Sequence, residues 1–190
     1  MIDPMPESES LSLAPSLLLS MPQLADPNFT RTVVLLCQHD ANGAFGLVLN
    51  RPVTMTARIV PQGRPEAATE RDVEVWIGGP VEPERNWILI SDPGLDAQAV
   101  KVAEGVYLST SLQVLEMLLE SPDHTRARLM AGYAGWGPGQ LDQELAMSAW
   151  LTGDVDPEIV FRTPAPEMWE TAIRRLGADP GKLQLGSGVH

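Results

Sequence analysis

Hydrophobic positions along the chain fall into short runs whose period changes several times. Thr32-Val33-Val34-Leu35-Leu36-Cys37 is continuous and rich in β-branched residues, the pattern of a strand buried on both faces. Phe45-Gly46-Leu47-Val48-Leu49 is a second strand. Asn42-Gly43 between them signals an antiparallel hairpin whose loop exceeds the two-residue minimum. Val73, Val75 and Ile77 alternate with Glu74 and Trp76, a strand that stops at Gly78-Gly79-Pro80. Trp87 to Ile90 is another strand, and Val100–Val102 and Val106–Leu108 flank a hairpin turn at Glu104-Gly105. In the strand 126–133, Arg126, Arg128 and Met130 share one face and Ala127, Leu129, Ala131 and Tyr133 the other.

Helical periods are fewer. Thr110 with Gln113 resembles a capping box and opens a helix that runs to Glu120, before Pro122. A second helix is expected from about Gln140 to Leu151, ending at Gly153. Trp169, Ile173 and Leu176 mark one face of a third, with Arg174 and Arg175 in its last turn and Gly177 after it. Ile159 to Phe161 reads as a last short strand, and residues 56–71 as a loop with room for a short helix. Strands and helices interleave without strict βαβ alternation. The expected fold is therefore α+β: a single domain over residues 11–190, with helices packed on a mixed, largely antiparallel sheet. Residues 1–10, acidic and rich in Pro and Ser, read as a disordered tail.

Charge narrows the partners. Thirteen basic and 25 acidic residues give a formal net charge of −12, which repels phosphate backbones and disfavours nucleic acid. Arg126 with Arg128, then Arg174 with Arg175, are the best candidates for a local basic patch. One cysteine permits no internal disulfide, which suits a reducing cytoplasm. The apolar stretch 11–21 follows Asp3, Glu7 and Glu9 with no Lys or Arg, unlike a secretory leader. No run approaches 18 apolar residues, so no membrane span is expected.

Candidate chemistry is sparse. Gly132-Tyr133-Ala134-Gly135-Trp136-Gly137-Pro138-Gly139-Gln140 is the densest motif, a strand-to-helix turn with two aromatic anchors. Its amides could hold an anion at a helix N-terminus, but Asp142 and Glu144 in the first turn would repel one. Gly78-Gly79-Pro80 could bring backbone amides to a ligand or let another segment pass closely. Asn50-Arg51-Pro52 ends a strand and could present polar groups to a partner. Cys37 and His39, two apart, would share one face of a strand as a nucleophile and base or half a metal site; the inert reading of Cys37 is preferred. Asp142 with Glu144, and Glu82 with Glu84, read as solvated acids or caps.

Several long segments, in order, resemble the AlgH/YqgE family of bacterial proteins. They are Leu13-Ala14-Pro15 through Asp26-Pro27-Asn28-Phe29 to Thr32-Val33-Val34, Cys37-Gln38-His39, and Gly43-Ala44-Phe45-Gly46-Leu47-Val48-Leu49-Asn50-Arg51-Pro52. Gly78-Gly79-Pro80-Val81, the glycine-rich motif through Glu144, and Ala149-Trp150-Leu151 complete the set. Two departures stand out: Gln38 where the family often has glutamate, and Ile90 where it often has histidine. The resemblance implies a compact cytoplasmic α+β domain. Some members carry a transcriptional-regulator label, but the resemblance transfers no biochemical activity.

The residues therefore point to a non-catalytic binding or regulatory module acting through a protein partner or small ligand, with no cofactor or metal. Candidate contacts are Asn50, Arg51, Gly78, Gly79, Pro80, Gly132, Tyr133, Gly135, Trp136, Gly137 and Gln140. The alternatives are an enzyme with its site between the Gly78-Gly79-Pro80 and Gly135–Gly139 turns, and a regulator that binds DNA directly.

Overall fold

A computed structural model of the chain describes residues 12–24, 26–60 and 63–185. The expected tail, residues 1–10, lies outside the described residues. Ten strands, β1 (Ser16–Ser20), β2 (Val33–Asp40), β3 (Gly43–Val48), β4 (Pro52–Ile59), β5 (Thr69–Ile77), β6 (Val81–Ile90), β7 (Val100–Ala103), β8 (Val106–Ser109), β9 (Ala127–Trp136) and β10 (Trp150–Gly153), join in one curled sheet. Its order is β10-β1-β2-β3-β9-β6-β8-β7, with β5 on β9 and β4 on β5. Every ladder is antiparallel except the two-residue β5–β9 pairing of Trp76 with Met130 and Ile77 with Ala131. Five α-helices complete the described residues: α1 (Leu112–Glu120), α2 (Gln140–Ala146), α3 (Pro157–Phe161), α4 (Ala165–Arg175) and α5 (Pro180–Leu185). The chain is thus a single α+β domain.

The continuous apolar run of β2 behaves as its pattern requires. Val33 and Leu35 join Leu17, Leu19, Leu47, Trp76, Leu89 and Met130 in a cluster closed by α3 and α4. Val34 and Leu36 point the other way, against Leu18, Ala134, Trp136, Trp150 and Leu141 of α2. A third cluster packs Val75, Ile88, Ile90 and Leu129 on Val114 and Leu118 of α1. Each such buried aliphatic contributes about 1.5–3 kcal/mol.

Several local expectations change. The β2–β3 hairpin is tight, because Asp40 pairs directly with Gly43. Residues 56–71 are not mainly loop: β4 and β5 pair over eight positions, Pro52 with Trp76 through Ile59 with Thr69, and only the turn Pro65–Ala67 is helical. Apolar Val53, Met55, Ala57 and Ile59 alternate with Thr54, Thr56 and Arg58, a strand period hidden by low hydrophobicity. The cap of α1 is Ser111 rather than Thr110, since its carbonyl accepts the first helical bond, from the Leu115 N–H at 3.1 Å, while its own N–H donates to Ser109 Oγ at 3.0 Å. Helix α2 stops at Ala146, and Trp150 returns as a strand opposite Ser20. Ile159–Phe161 is helical because Asp156 accepts from the Glu158 N–H at 2.8 Å and Pro157 starts the turn. Strand β1, from the apolar N-terminal stretch, was not expected at all.

Candidate functional site

Strand β9 carries the glycine-rich motif, and its first five residues are strand rather than turn. Gly132 has φ 68°, and a Cβ there would sit 2.5 Å from the Gly79 carbonyl oxygen. Gly79 has φ 154°, and its Cβ would meet the Tyr133 carbonyl carbon and oxygen at 2.2 Å. The two glycine segments therefore pack backbone against backbone, the close passage allowed by absent side chains. Between them Gly78 makes a fork: its N–H donates to the Ala131 carbonyl at 2.7 Å and its carbonyl accepts from the Val48 N–H at 2.8 Å. Strand β5 thereby enters between β3 and β9.

The kink at Gly132 also reverses the phase of β9. Met130 lies in the cluster under α3 and α4, and Tyr133 packs against that same cluster, while Ala134 and Trp136 join the opposite one. Tyr133 thus leaves the face of Ala127 and Leu129 on which simple alternation places it. Trp136 is 7 % exposed and stacks on Phe29 at 6.4 Å, with Trp150 edge-on at 6.0 Å. Glu144 Oε2 accepts both indole N–H groups, from Trp136 at 2.9 Å and Trp150 at 2.7 Å. Its other oxygen accepts from Gln140 Nε2 at 3.0 Å, and Gln140 Oε1 accepts from the Gly137 N–H at 3.0 Å. Glu144 is therefore a bound acceptor, not a solvated acid, and the Gly137 amide is already occupied. Gly135 and Gly137 are exposed.

Cys37 and His39 do not form a pair. The β2–β3 register shifts between Leu36 and Gln38, so Cys37 is an extra residue that reverses the side-chain phase. Cys37 packs with the first cluster. Burial pushes its thiol up to about 12, and its Sγ contacts the Leu35 carbonyl. His39 is buried on the other face, where Nδ1 accepts from the Leu13 N–H at 3.3 Å and Nε2 lies 3.3 Å from Asp142. Asp142 thus reaches β2 while its side chain stays largely exposed. Among the described residues no group of three His, Cys, Asp or Glu could hold a metal ion. The basic patch also dissolves. Arg128 is 6 % exposed, donates to the Phe161 carbonyl at 3.0 Å, and lies 4.8 Å from the Trp76 ring; burial lowers its pKa to about 10 against the opposing pull of Glu74. Arg126 faces Asp92, Arg174 faces Glu170 and Arg175 faces Asp156.

Asn50 is buried and Arg51 half-buried. Asn50 Oδ1 accepts from the Val33 N–H at 3.0 Å and its Nδ2 donates to the Arg31 carbonyl at 2.9 Å, holding Arg31 at φ 50°. The Arg51 guanidinium donates to the Thr30 and Asn50 carbonyls, and burial lowers its pKa. These bonds fix the segment that carries Phe29. A groove of about 350 Å³ results, its walls including Phe29, Arg51, Val53, Ile77, Gly79 and Pro80. It brings together Arg51 and the Gly79-Pro80 turn, while Trp136 supports its Phe29 wall from behind. Val53 and Ile77, which sequence reasoning missed as site residues, were legible as apolar members of alternating strands. A second groove of about 460 Å³ holds Tyr133 with Cys37, Phe45 and Trp87, three rings at mutual centroid distances of 5.1–6.4 Å.

Comparison with known proteins adds identity to this geometry. A protein-family model described as AlgH-like matches residues 17–181. A UPF0301 protein of Anaeromyxobacter dehalogenans is 42 % identical over 97 % of this chain and 98 % of its own length. One from Myxococcus xanthus is 41 % identical over 94 % and 99 %. The solution structure of the AlgH protein from Pseudomonas aeruginosa matches with TM-score 0.70 and 34 % identity, covering 98 % of this chain and all of that one. A Corynebacterium diphtheriae crystal structure shares the fold at TM-score 0.65 and 24 % identity.

Proposed function

The chain belongs to the AlgH-like family, and on that premise we propose that it is a non-catalytic binding module whose partner is a protein seated in the groove beside Arg51. The observation that carries this reading is the continuity of that groove with exposed apolar side chains on the β4–β5 ribbon: Val53, Met55 and Ile77. Met55 is 52 % exposed. A cluster of this kind at the rim of a groove is the usual mark of an interaction surface. Gly78-Gly79 and Gly132-Tyr133 pack backbone against backbone, which supports a scaffold role for these glycines and weighs against a ligand cleft beside Gly78 and Gly79, as an enzyme site between the Gly78-Gly79-Pro80 and Gly135–Gly139 turns would use. Direct DNA binding is disfavoured by the net charge of −12 and by arginines already committed to carboxylates.

Affinity capture from a bacterial lysate tests the reading. Native chain is expected to retain a partner that Ile77→Glu releases and that Trp136→Ala weakens through Phe29. Identical proteins captured by all three would count against it. A small-ligand reading has its own support in the Tyr133–Phe45–Trp87 groove, and it would gain if Tyr133→Ala, rather than Ile77→Glu, abolished binding.

A further inference from the structure

Sheet edges are templates for another chain, and stable proteins blunt them by shortness, bulges or charge. Three of this sheet's free edges are blunted. Strand β10 spans four residues. Strand β7 also spans four, with a register shift between Lys101 and Ala103. Among the described residues the side of β5 away from β4 is paired only at Trp76 and Ile77, and Glu70, Arg71, Asp72 and Glu74 charge the rest. Strand β4 is the exception. It runs eight residues in unbroken register with β5, pairs with nothing on its other side among the described residues, and carries one charge, Arg58.

The hydrogen-bond phase of that edge follows from one contact. The Ile77 N–H donates to the Arg51 carbonyl at 2.8 Å. Opposed residues in an antiparallel pair alternate between bonded and non-bonded. Residues 53, 55 and 57 therefore spend their backbone groups on β5. Thr54, Thr56 and Arg58 direct theirs outward, and Pro52, which has no N–H to lose, falls on the same outward phase. Side chains sort the two faces. Val53 and Met55 make an apolar face that runs into the groove at Ile77 and Pro80. Thr54, Thr56 and Arg58 share the other face with Glu74, Asp72 and Glu70, and Thr56 Oγ1 lies 2.9 Å from Asp72 Oδ1.

We propose that β4 accepts an extended segment of a partner protein as an added strand, with apolar residues on the Val53–Met55 face alternating with Lys or Arg facing the Glu70–Asp72–Glu74 side. This deepens the binding-module reading and rests on it. Charge selects the partner: a second copy would bring another −12 and one basic residue in its own β4, whereas a basic segment complements both the ribbon and the whole protein. Backbone bonds supply affinity and the groove at Ile77 takes one large apolar side chain, the recognised division of labour in strand addition.

The test is selection of random decapeptides displayed on phage against the full chain. Selected peptides should alternate apolar and basic residues, slow hydrogen exchange at the Thr54, Thr56 and Arg58 amides, and lose about tenfold or more in affinity for Thr56→Pro. That proline removes only an outward N–H, so the ribbon should survive, and Thr56→Ala should bind normally. If peptides lost by Ile77→Glu bind Thr56→Pro unchanged, or leave those three amides unprotected, strand addition is wrong while the binding-module reading stands. If native chain selects nothing beyond Ile77→Glu, both fall. If sedimentation shows a dimer that Thr56→Pro dissociates, the occupant is a second copy and the proposed partner is wrong.

Discussion

Strands β2 and β4 are each eight residues long, yet they meet opposite environments. Strand β2 lies between β1 and β3 with helices beyond both faces, and its first four side chains are fully buried. Among the described residues strand β4 has one neighbour, and its side chains from Pro52 to Thr56 are all exposed. Strand β2 is specified for stability, whereas β4 leaves surface available. A two-stranded ribbon is marginal by itself, and this one is anchored chiefly where Trp76 and Gly78 enter the sheet.

The sharpest way to break the contrast is at that anchor. Gly79→Ala puts a Cβ on the Tyr133 backbone and forces alanine into a glycine conformation. We expect a loss of about 4 kcal/mol, read by urea denaturation. An effect below about 1 kcal/mol would mean that the β5–β9 junction yields easily. Comparable in size is a chemical prediction for β2. With its pKa moved from 9.0 to about 12, Cys37 should react with iodoacetamide at pH 8 roughly a thousandfold more slowly in the folded chain than in urea. The sign follows: burial of the neutral thiol stabilises the fold below pH 9, and that contribution is lost as pH rises from 9 towards 12.

Leu35→Ala in β2 should cost about 3 kcal/mol, against less than about 0.5 for Met55→Ala in β4. Equal losses, measured by thermal unfolding, would erase the distinction between the two strands. Between these lies Glu144→Ala, at about 2 kcal/mol, because two buried indole N–H groups lose their acceptor. Glu144→Gln, which keeps one carbonyl, should lose less. The smallest effect, Met55→Ala on stability, should accompany a clear loss of partner binding.

Much of the architecture was legible in local pattern. The apolar run at Val33–Leu36, the alternation at Val73–Ile77 and the 3.6-residue spacing of Trp169 and Ile173 each encode their own burial. The family resemblance was legible too, because long ordered motifs survive as strings. The candidate site was only half legible. Arg51 and Pro80 do line one groove, but Gly132, Gly78 and Trp136 act as scaffold, and Asn50 holds a neighbouring loop. Val53 and Met55 fell outside every strand assigned from the sequence, because Thr and Arg diluted their alternation.

What the sequence determined by itself is the set of strands with a strong period and the positions that only glycine can occupy. Tertiary structure decided what those positions face. A one-residue bulge sent Cys37 and His39 to opposite sides, and the kink at Gly132 moved Tyr133 across the sheet. Tertiary contacts gave Glu144 two indole donors and set the still-exposed Asp142 beside His39. Side-chain periodicity is a local property, whereas register, edge position and backbone close approach depend on segments that can lie more than a hundred residues away, as Leu17 and Gly153 do. That is why the glycines could be read early and their purpose, a junction that leaves β4 open, only in the fold.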